Sequence, residues 1–366
     1  TDKPLSDPQR APLDAQLARA RVGVLGDADA PGESCGEHVA WHDGWPQSAG
    51  ELAVPGGDHR PRVVLPEPAP LAVHARRHSF STLTRGEHPR LQEELPASDE
   101  APFDADAGQQ DEPQLPSHPG LQALERWKGT AFGNALHAML EERSFELPMR
   151  TQVELVSRAL RDSGLRLPAS EHEQRQLVDT IAARLQGVLE AEILPGLRLA
   201  DVPASQWRAE MAFDYVLRDV QVAALRDVCM AHGQPGLMPW LSARRLHGLM
   251  TGKIDLVFQH AGRFHVLDWK GNWLGDRVQD YAPRQLGVAM DHHQYRLQAL
   301  LYTVAVDRYL RQRMPGYRRA EHLGDTLYLY LRAVGLAPMA GVWAHRFDDD
   351  LVDAIDRALG ATERAA

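Results

Sequence analysis

Cysteine is nearly absent from this 366-residue chain, which has Cys35 and Cys229 and no others. Two thiols exclude a disulfide framework and any four-cysteine zinc or iron–sulfur centre, and they fit a reducing cytoplasm. No apolar run approaches the roughly 20 residues a membrane helix needs, so no membrane role is expected, and no signal peptide opens the chain. Positive charge is short as well: 40 Lys and Arg against 50 Asp and Glu leave a formal net charge of −10. A protein that wraps nucleic acid unaided would show the opposite balance. A complete nucleotide-binding loop is also missing. Gly248-Leu249-Met250-Thr251-Gly252-Lys253 has the glycines and the lysine, but the spacing is one residue short. Ile254 stands where Ser or Thr is needed, and a strand follows where a helix should begin. No ATP hydrolysis is expected of this chain. Thr1 in place of Met reads as the start of a processed or excised piece.

What is present divides unevenly along the chain. Hydrophobic content of 43% and charged content of 25% suit an ordinary globular protein with a full core. Residues 1–85 read as partly irregular, with one short helix at Leu13–Leu25 and isolated strands at Val63–Leu65 and His78–Leu83. Residues 86–120 are acidic and Pro-rich with few large apolar side chains, the composition of a flexible linker. From Leu121 to the end the pattern is regular. Helices are expected at Gly129–Arg143, Thr151–Ser163 and Glu171–Ile193, followed by a strand over Trp207–Leu217 with Glu210 near its start. His137 lies beside the apolar stripe of the first of these helices, where a lone histidine is more often a packed residue than a ligand.

Chemistry concentrates in Gly252–Lys270. Leu249–Phe258 and Arg263–Trp269 alternate as strands, with His260-Ala261-Gly262 as the turn between them. Asp255 lies in the first strand and Asp268 in the second. Lys270 follows Asp268 by two residues, so period-2 alternation puts both side chains on one face. An Asp-x-Lys pair alone is commonly a solvated ion pair. With Asp255 among apolar neighbours, however, two acids and a lysine converge, and desolvating them calls for a partner such as a divalent cation. An acid, about a dozen residues, then Asp-x-Lys resembles the PD-(D/E)xK nuclease pattern.

Beyond the hairpin, Pro283–Met314 is expected to be the longest helix, with Tyr295, and with Gln298 and Tyr302 on one face. Such a pair packs a boundary or reaches a phosphate. Its basic end, Arg308, Arg311 and Arg313 with Arg318 and Arg319 beyond, suits a helix C-terminus residue by residue. Taken together these arginines could form a phosphate-contacting strip. Strands over Thr326–Val334 and Val342–Phe347 and a closing helix over Asp348–Leu359 complete an α/β arrangement, a small mixed β-sheet flanked by helices.

Several runs, in order, resemble the RecB-type nuclease domain of the PD-(D/E)xK superfamily. They are Gly252-Lys253-Ile254-Asp255-Leu256-Val257-Phe258, Leu267-Asp268-Trp269-Lys270, and Tyr295-Arg296-Leu297-Gln298 through Tyr302. The segments Gly129-Thr130 to His137 and Tyr328-Leu329-Tyr330-Leu331-Arg332 are also similar to that domain. The likeness covers roughly Leu121 to Phe347. It implies a restriction-endonuclease-like core with additional N-terminal helices. It also implies that residues 1–85 are a remnant of a preceding helicase region, 86–120 its tether and 121–366 the nuclease domain. His137, Asp255, Asp268 and the backbone carbonyl of Trp269 would be metal ligands and Lys270 the catalytic lysine. Asp268, Asp255 and Glu210 would be catalytic acids, while Gln298, Tyr302, Tyr295, Arg308 and Arg311 would support the site or contact DNA. The implied cofactor is Mg²⁺, with Mn²⁺ as a possible substitute, and ATP would serve only a parent helicase. The implied activity is exo- and endonucleolytic hydrolysis of DNA, chiefly of single strands fed by a helicase. The setting would be break repair by homologous recombination and degradation of linear DNA, beside RecC-like and RecD-like subunits in the cytoplasm. A catalytically silent docking module of such an assembly is the alternative. Gly271 departs from the family pattern, which usually has serine after the lysine.

Overall fold

The computed structural model describes residues 76–84, 116–238 and 245–360. The helix expected at Leu13–Leu25, the strand at Val63–Leu65 and most of the linker lie outside the described residues. In chain order the main elements begin with strand β1 (Arg76–His78) and helices α1 (Thr130–Glu142), α2 (Val153–Asp162) and α3 (Glu171–Glu190). Strand β2 (Trp207–Gln221), helix α4 (Val222–Ala231), and strands β3 (Arg245–His260) and β4 (Arg263–Lys270) follow. Helices α5 (Pro283–His292) and α6 (Tyr295–Arg313), strands β5 (Leu323–Tyr330) and β6 (Val342–His345), and helix α7 (Asp349–Ala358) complete the set.

The turn between β3 and β4 sets the register of the hairpin. Ala261 and Gly262 both adopt left-handed backbone, φ 47° and 78°, a geometry that matches the twist of tightly joined antiparallel strands. The ladder runs from His260 opposite Arg263 to Leu256 opposite Leu267. β4 then pairs in parallel with β5, and β5 antiparallel with β6, giving a mixed sheet of six strands in the order β1-β3-β4-β5-β6. β2 pairs antiparallel along the other edge of β3. Helices α1 to α3 cover one face, packing Phe132, Val156 and Ile181 toward Leu267, Trp269 and Leu329. Helices α4 to α7 cover the other, packing Leu225, Leu286, Leu300 and Ile355 with Leu217 and Tyr328. β4 is therefore sandwiched on both faces, and its last six residues are all buried.

One edge of β3 serves two partners. β1 pairs in parallel with Gly248–Met250, and β4 takes Leu256–His260. Between them, Thr251, Gly252, Lys253 and Asp255 line an open cleft of about 490 Å³. The glycines that mimic a nucleotide loop have steric work here instead. A Cβ on Gly248 (φ 128°) would sit 2.0 Å from the Arg76 carbonyl oxygen, and one on Gly252 would sit 2.3 Å from the Phe213 ring.

Two expected elements differ. His78–Leu83 is not a single strand: pairing ends at His78, and Phe80–Thr84 is a helical turn in which the Leu83 N–H donates to Ser79. Phe80 and Leu83 are both buried, a three-residue spacing that fits helix as well as a short apolar run fits strand. This segment lies within 1–85, so the sheet reaches across the division drawn at 121. The helix expected over Pro283–Met314 is two helices, interrupted by Gln294 in left-handed conformation (φ 57°). Neither Gly nor Pro marks that break. Asp291-His292-His293, all weak helix formers, precede it.

Arg332, on the segment after β5, is fully buried and ties the end of β4 to the segment that leads into α1. It donates to the carbonyls of Gly271 (2.6 Å), Leu124 (3.0 Å) and Trp127. Replacing it leaves buried acceptors unpaired, so Arg332→Ala should lower unfolding free energy by roughly 3 kcal/mol. Chemical denaturation reads the change, and an unshifted midpoint would mean that water satisfies those carbonyls.

Candidate active site

The cleft gathers side chains from α1, β2, β3, β4 and α6 and from the segment after β1. Where the β3–β4 ladder ends, the Asp255 carboxylate takes over as acceptor for the Trp269 backbone N–H at 2.8 Å. This holds Asp255 against the strand that carries Asp268 and Lys270. From α1, Thr130, Asn134, His137 and Glu141 reach the cleft at helical spacing, and His137 Nδ1 lies 3.5 Å from Asp255 Oδ2. Asp268 and Lys270 are buried on the same face of β4, with Lys270 Nζ 2.9 Å from Asp268 Oδ2.

Helix α6 holds the lysine from the other side. Lys270 Nζ donates to Gln298 Oε1 (3.3 Å) and lies 3.7 Å from the Tyr295 ring centroid. A desolvated cation over an aromatic face is worth about 2 kcal/mol. Gln298 is fixed at both ends of its amide: Tyr328 O–H donates to its Oε1 (2.9 Å), and its Nε2 donates to Tyr302 Oη (3.1 Å). The break before Tyr295 starts α6 where Tyr295 and Gln298 can flank Lys270.

Charge in the cleft is strongly coupled. Burial pushes the Asp268 carboxyl up to about 7, with the nearby Asp255 adding to the effect and Lys270 opposing it. Burial acts on Asp255 in the same sense, but His137, the Trp269 N–H and Lys270 outweigh it and hold that carboxyl below its usual range. Burial would lower the His137 imidazole, yet Asp255 and Asp268 outweigh it and raise it above its ordinary value.

Among the described residues no three His, Cys, Asp or Glu side chains already form a metal cage. The acids are instead matched in pairs, Asp255 with His137 and Asp268 with Lys270. The donor set nevertheless fits a divalent cation. Asp268 Oδ2 is buried against the Lys270 ammonium at 2.9 Å, and a carboxylate has further lone pairs than that contact uses, which are available to a cation. Carboxylate oxygens with one imidazole suit a hard or borderline ion.

The other sequence candidates fall into two groups. Glu210 lines the same cleft, its backbone in the left-handed region (φ 51°), and is ion-paired with Lys253. Gln298 and Tyr302 also line it, and Tyr295 lies beneath Lys270. Arg308 and Arg311 do not reach it; they pair with Asp356 and Asp353 on α7. Residues not singled out from sequence include Thr130, Asn134 and Glu141 on α1, Lys253, Tyr328 and the Ser79–Ser81 wall. Lys253 precedes Asp255 by two, the spacing that links Asp268 to Lys270. Tyr328 sits opposite Asp268 in the β4–β5 register, which only the pairing reveals.

A family model described as the PD-(D/E)XK nuclease superfamily matches residues 114–359, a span that holds every one of the cleft acids and Lys270. The chain is 32% identical over 232 residues to RecBCD enzyme subunit RecB of Escherichia coli, covering 63% of this chain and 19% of that protein. The RecB subunit of Mycobacterium tuberculosis is 31% identical over 292 residues, 71% of this chain and 26% of the relative. That of Mycolicibacterium smegmatis is 29% identical over 355 residues, 81% of this chain and 31% of the relative. The chain thus spans less than a third of the length of these relatives.

Ligation of a cation requires the proton to leave Asp268, which keeps it to about pH 7, and to leave His137, whose value is raised. Apparent divalent-cation affinity should therefore fall as pH drops through about 7, by about tenfold per unit for each proton displaced. Calorimetric titration in buffers of different ionisation heat measures the protons released. Affinity that stays flat from about pH 6 to 8 would show that Asp268 is already ionised.

Proposed function

The chain belongs to the PD-(D/E)XK nuclease superfamily, and on that premise we propose that it is the metal-dependent DNA-hydrolysing module of a RecB-like subunit. The observation that carries this reading is the convergence of His137, Asp255, Asp268 and Lys270 in one cleft, with Lys270 locked by Gln298 and Tyr295. Members of the superfamily generally use divalent metals; for this chain the ion is Mg²⁺, with Mn²⁺ as substitute. His137, Asp255, Asp268 and the Trp269 carbonyl would hold it. Once bound, the ion supplies Lewis acidity at the scissile phosphate and lowers the pKa of a water.

The chain's own groups do the rest. Lys270 presents a fixed ammonium beside the acids, where negative charge grows on the phosphate oxygens in the transition state. Gln298, anchored by Tyr328 and Tyr302, keeps that ammonium from swinging away. Glu210, held by Lys253, adds a carboxylate on the β2 wall. Water oxygen bonds to phosphorus, the ester P–O bond breaks, and a hydroxyl and a phosphate end result without a covalent enzyme intermediate.

The substrate is DNA, chiefly single strands delivered by the helicase part of a larger protein in company with RecC-like and RecD-like subunits. Double-strand-break repair by recombination and removal of linear DNA are the settings for that activity. Weak intrinsic DNA affinity fits the net charge of −10 and the pairing of Arg308 and Arg311 with aspartates. Strong, salt-resistant binding by the isolated chain would contradict it.

Digestion of linear and circular single-stranded DNA with Mg²⁺ and no ATP tests the proposal. The parent should degrade linear substrate, and loss of circles would show internal cutting. Asp268→Ala and Lys270→Ala should each lose at least about a hundredfold in rate. Variants as fast as the parent would refute the site. Inertness of all three with both Mg²⁺ and Mn²⁺ would favour the docking-module reading.

A further inference from the structure

The catalytic cleft does not end at Tyr302. A second groove of about 880 Å³ runs along β2, α6 and α7, and Phe213 lines both hollows. The junction is paved with rings. Tyr302, in the cleft, meets Phe213 edge to face at 5.8 Å, and Phe213 stacks on Tyr215 at 5.8 Å and 13°. The Arg308 guanidinium then covers the Tyr215 ring at 4.4 Å. From the acids outward, the surface thus passes from carboxylates to aromatic faces to arginine.

The groove has the features of a site for a strand with bases and phosphates. Arg218, Arg308, Arg311 and Arg357 line it against Asp214, Asp353 and Asp356, a cationic excess where the cleft itself is rich in acids. Arg308 and Arg311 are held in place by the α7 aspartates, whereas Arg218 and Arg357 are exposed and make no ion pair among the described residues. Tyr309 offers a ring that is 47% exposed on the α6 wall. The Tyr215 hydroxyl is buried with no hydrogen-bond partner among the described residues, a donor left over for an incoming oxygen. Among those residues β2 pairs with β3 alone, so its other edge has no strand partner there.

We propose that this groove is an accessory binding track for single-stranded DNA, continuous with the catalytic cleft through Phe213. Tyr309 stacks a base, and Arg218 and Arg357 contact phosphates. The inference rests on the nuclease reading for the direction of the strand. The track follows Met211 to Arg218, about 24 Å at ~3.4 Å per residue. That length suits on the order of four nucleotides beyond the cut, the low end of the site sizes of stacking grooves.

Length dependence tests it. Fluorescein-labelled oligo(dT) of about 6 and about 24 nucleotides is titrated with Mg²⁺ present, on a Lys270→Ala background so that binding is read without cleavage. The longer strand should bind more tightly. Tyr309→Ala should weaken it about tenfold while changing the shorter strand less than about twofold. Arg357→Ala should reduce the slope of log affinity against log salt by about 0.7 for the longer strand. Melting temperatures confirm that both variants fold. The track is refuted if the parent gains no affinity with length, if Tyr309→Ala affects both lengths alike, or if it affects neither. In that last case the free side of β2 would be left to a protein strand. Loss of digestion with the length signature intact would remove the nuclease reading and leave the track standing. Digestion without that signature would do the reverse.

Discussion

Two aspartates in one hollow, Asp268 buried and Asp255 partly so, are the constraint around which this domain is built. Neither could be kept there as an anion without compensation, since an unpaired buried charge costs several kcal/mol. The sheet solves this at the point where the β3–β4 ladder stops. Asp255 substitutes for the missing ladder partner by accepting the Trp269 N–H, and His137 answers its charge from α1. Asp268 is answered by Lys270 from the same strand. Each anion therefore has a partner drawn from secondary structure, and the partnership holds without a bound ligand. The Lys270 contact uses only part of what the Asp268 carboxylate can accept, which keeps the site receptive rather than merely neutral.

The lysine receives comparable care. A flexible side chain placed in a pocket loses several rotamers, and here the loss is covered by Asp268, an amide oxygen and two rings. Gln298 and Tyr328 come from α6 and β5, elements that the chain adds after the hairpin. The architecture thus separates provision from positioning: β3 and β4 supply Asp255, Asp268 and Lys270, and the later half of the domain orients the lysine.

Legibility in the sequence followed the same division. Asp255, Asp268 and Lys270 could be placed on one hairpin because strand alternation and a Gly-containing turn are local signals. Burial on both faces was less visible, since it depends on β5 and the helices. The interruption at Gln294 carried no Gly or Pro, so the apolar periodicity of α5 ran into that of α6 without a mark. β1 was hidden by its brevity: three residues pair, and the remainder of the run is helical. The basic cluster at the end of α6 read as a strip because sequence shows charges one at a time. Folding brings α7 alongside, and its aspartates occupy Arg308 and Arg311. His137 was ambiguous on periodicity alone and needed the cleft, or the family likeness, to acquire a role.

The shared edge of β3 has a consequence for biosynthesis. β1 contributes from Arg76–His78, the acids from residues 255 and 268, and the lysine's supports from residues 295 to 328. A ribosome releases these parts in order, and domains fold as units once their partners are out. Gln298 arrives first, with α6; until β5 has emerged, Lys270 still lacks Tyr328, and β4 lacks its parallel neighbour. The surroundings of Lys270 are therefore complete only once β5 has been made, late in the chain.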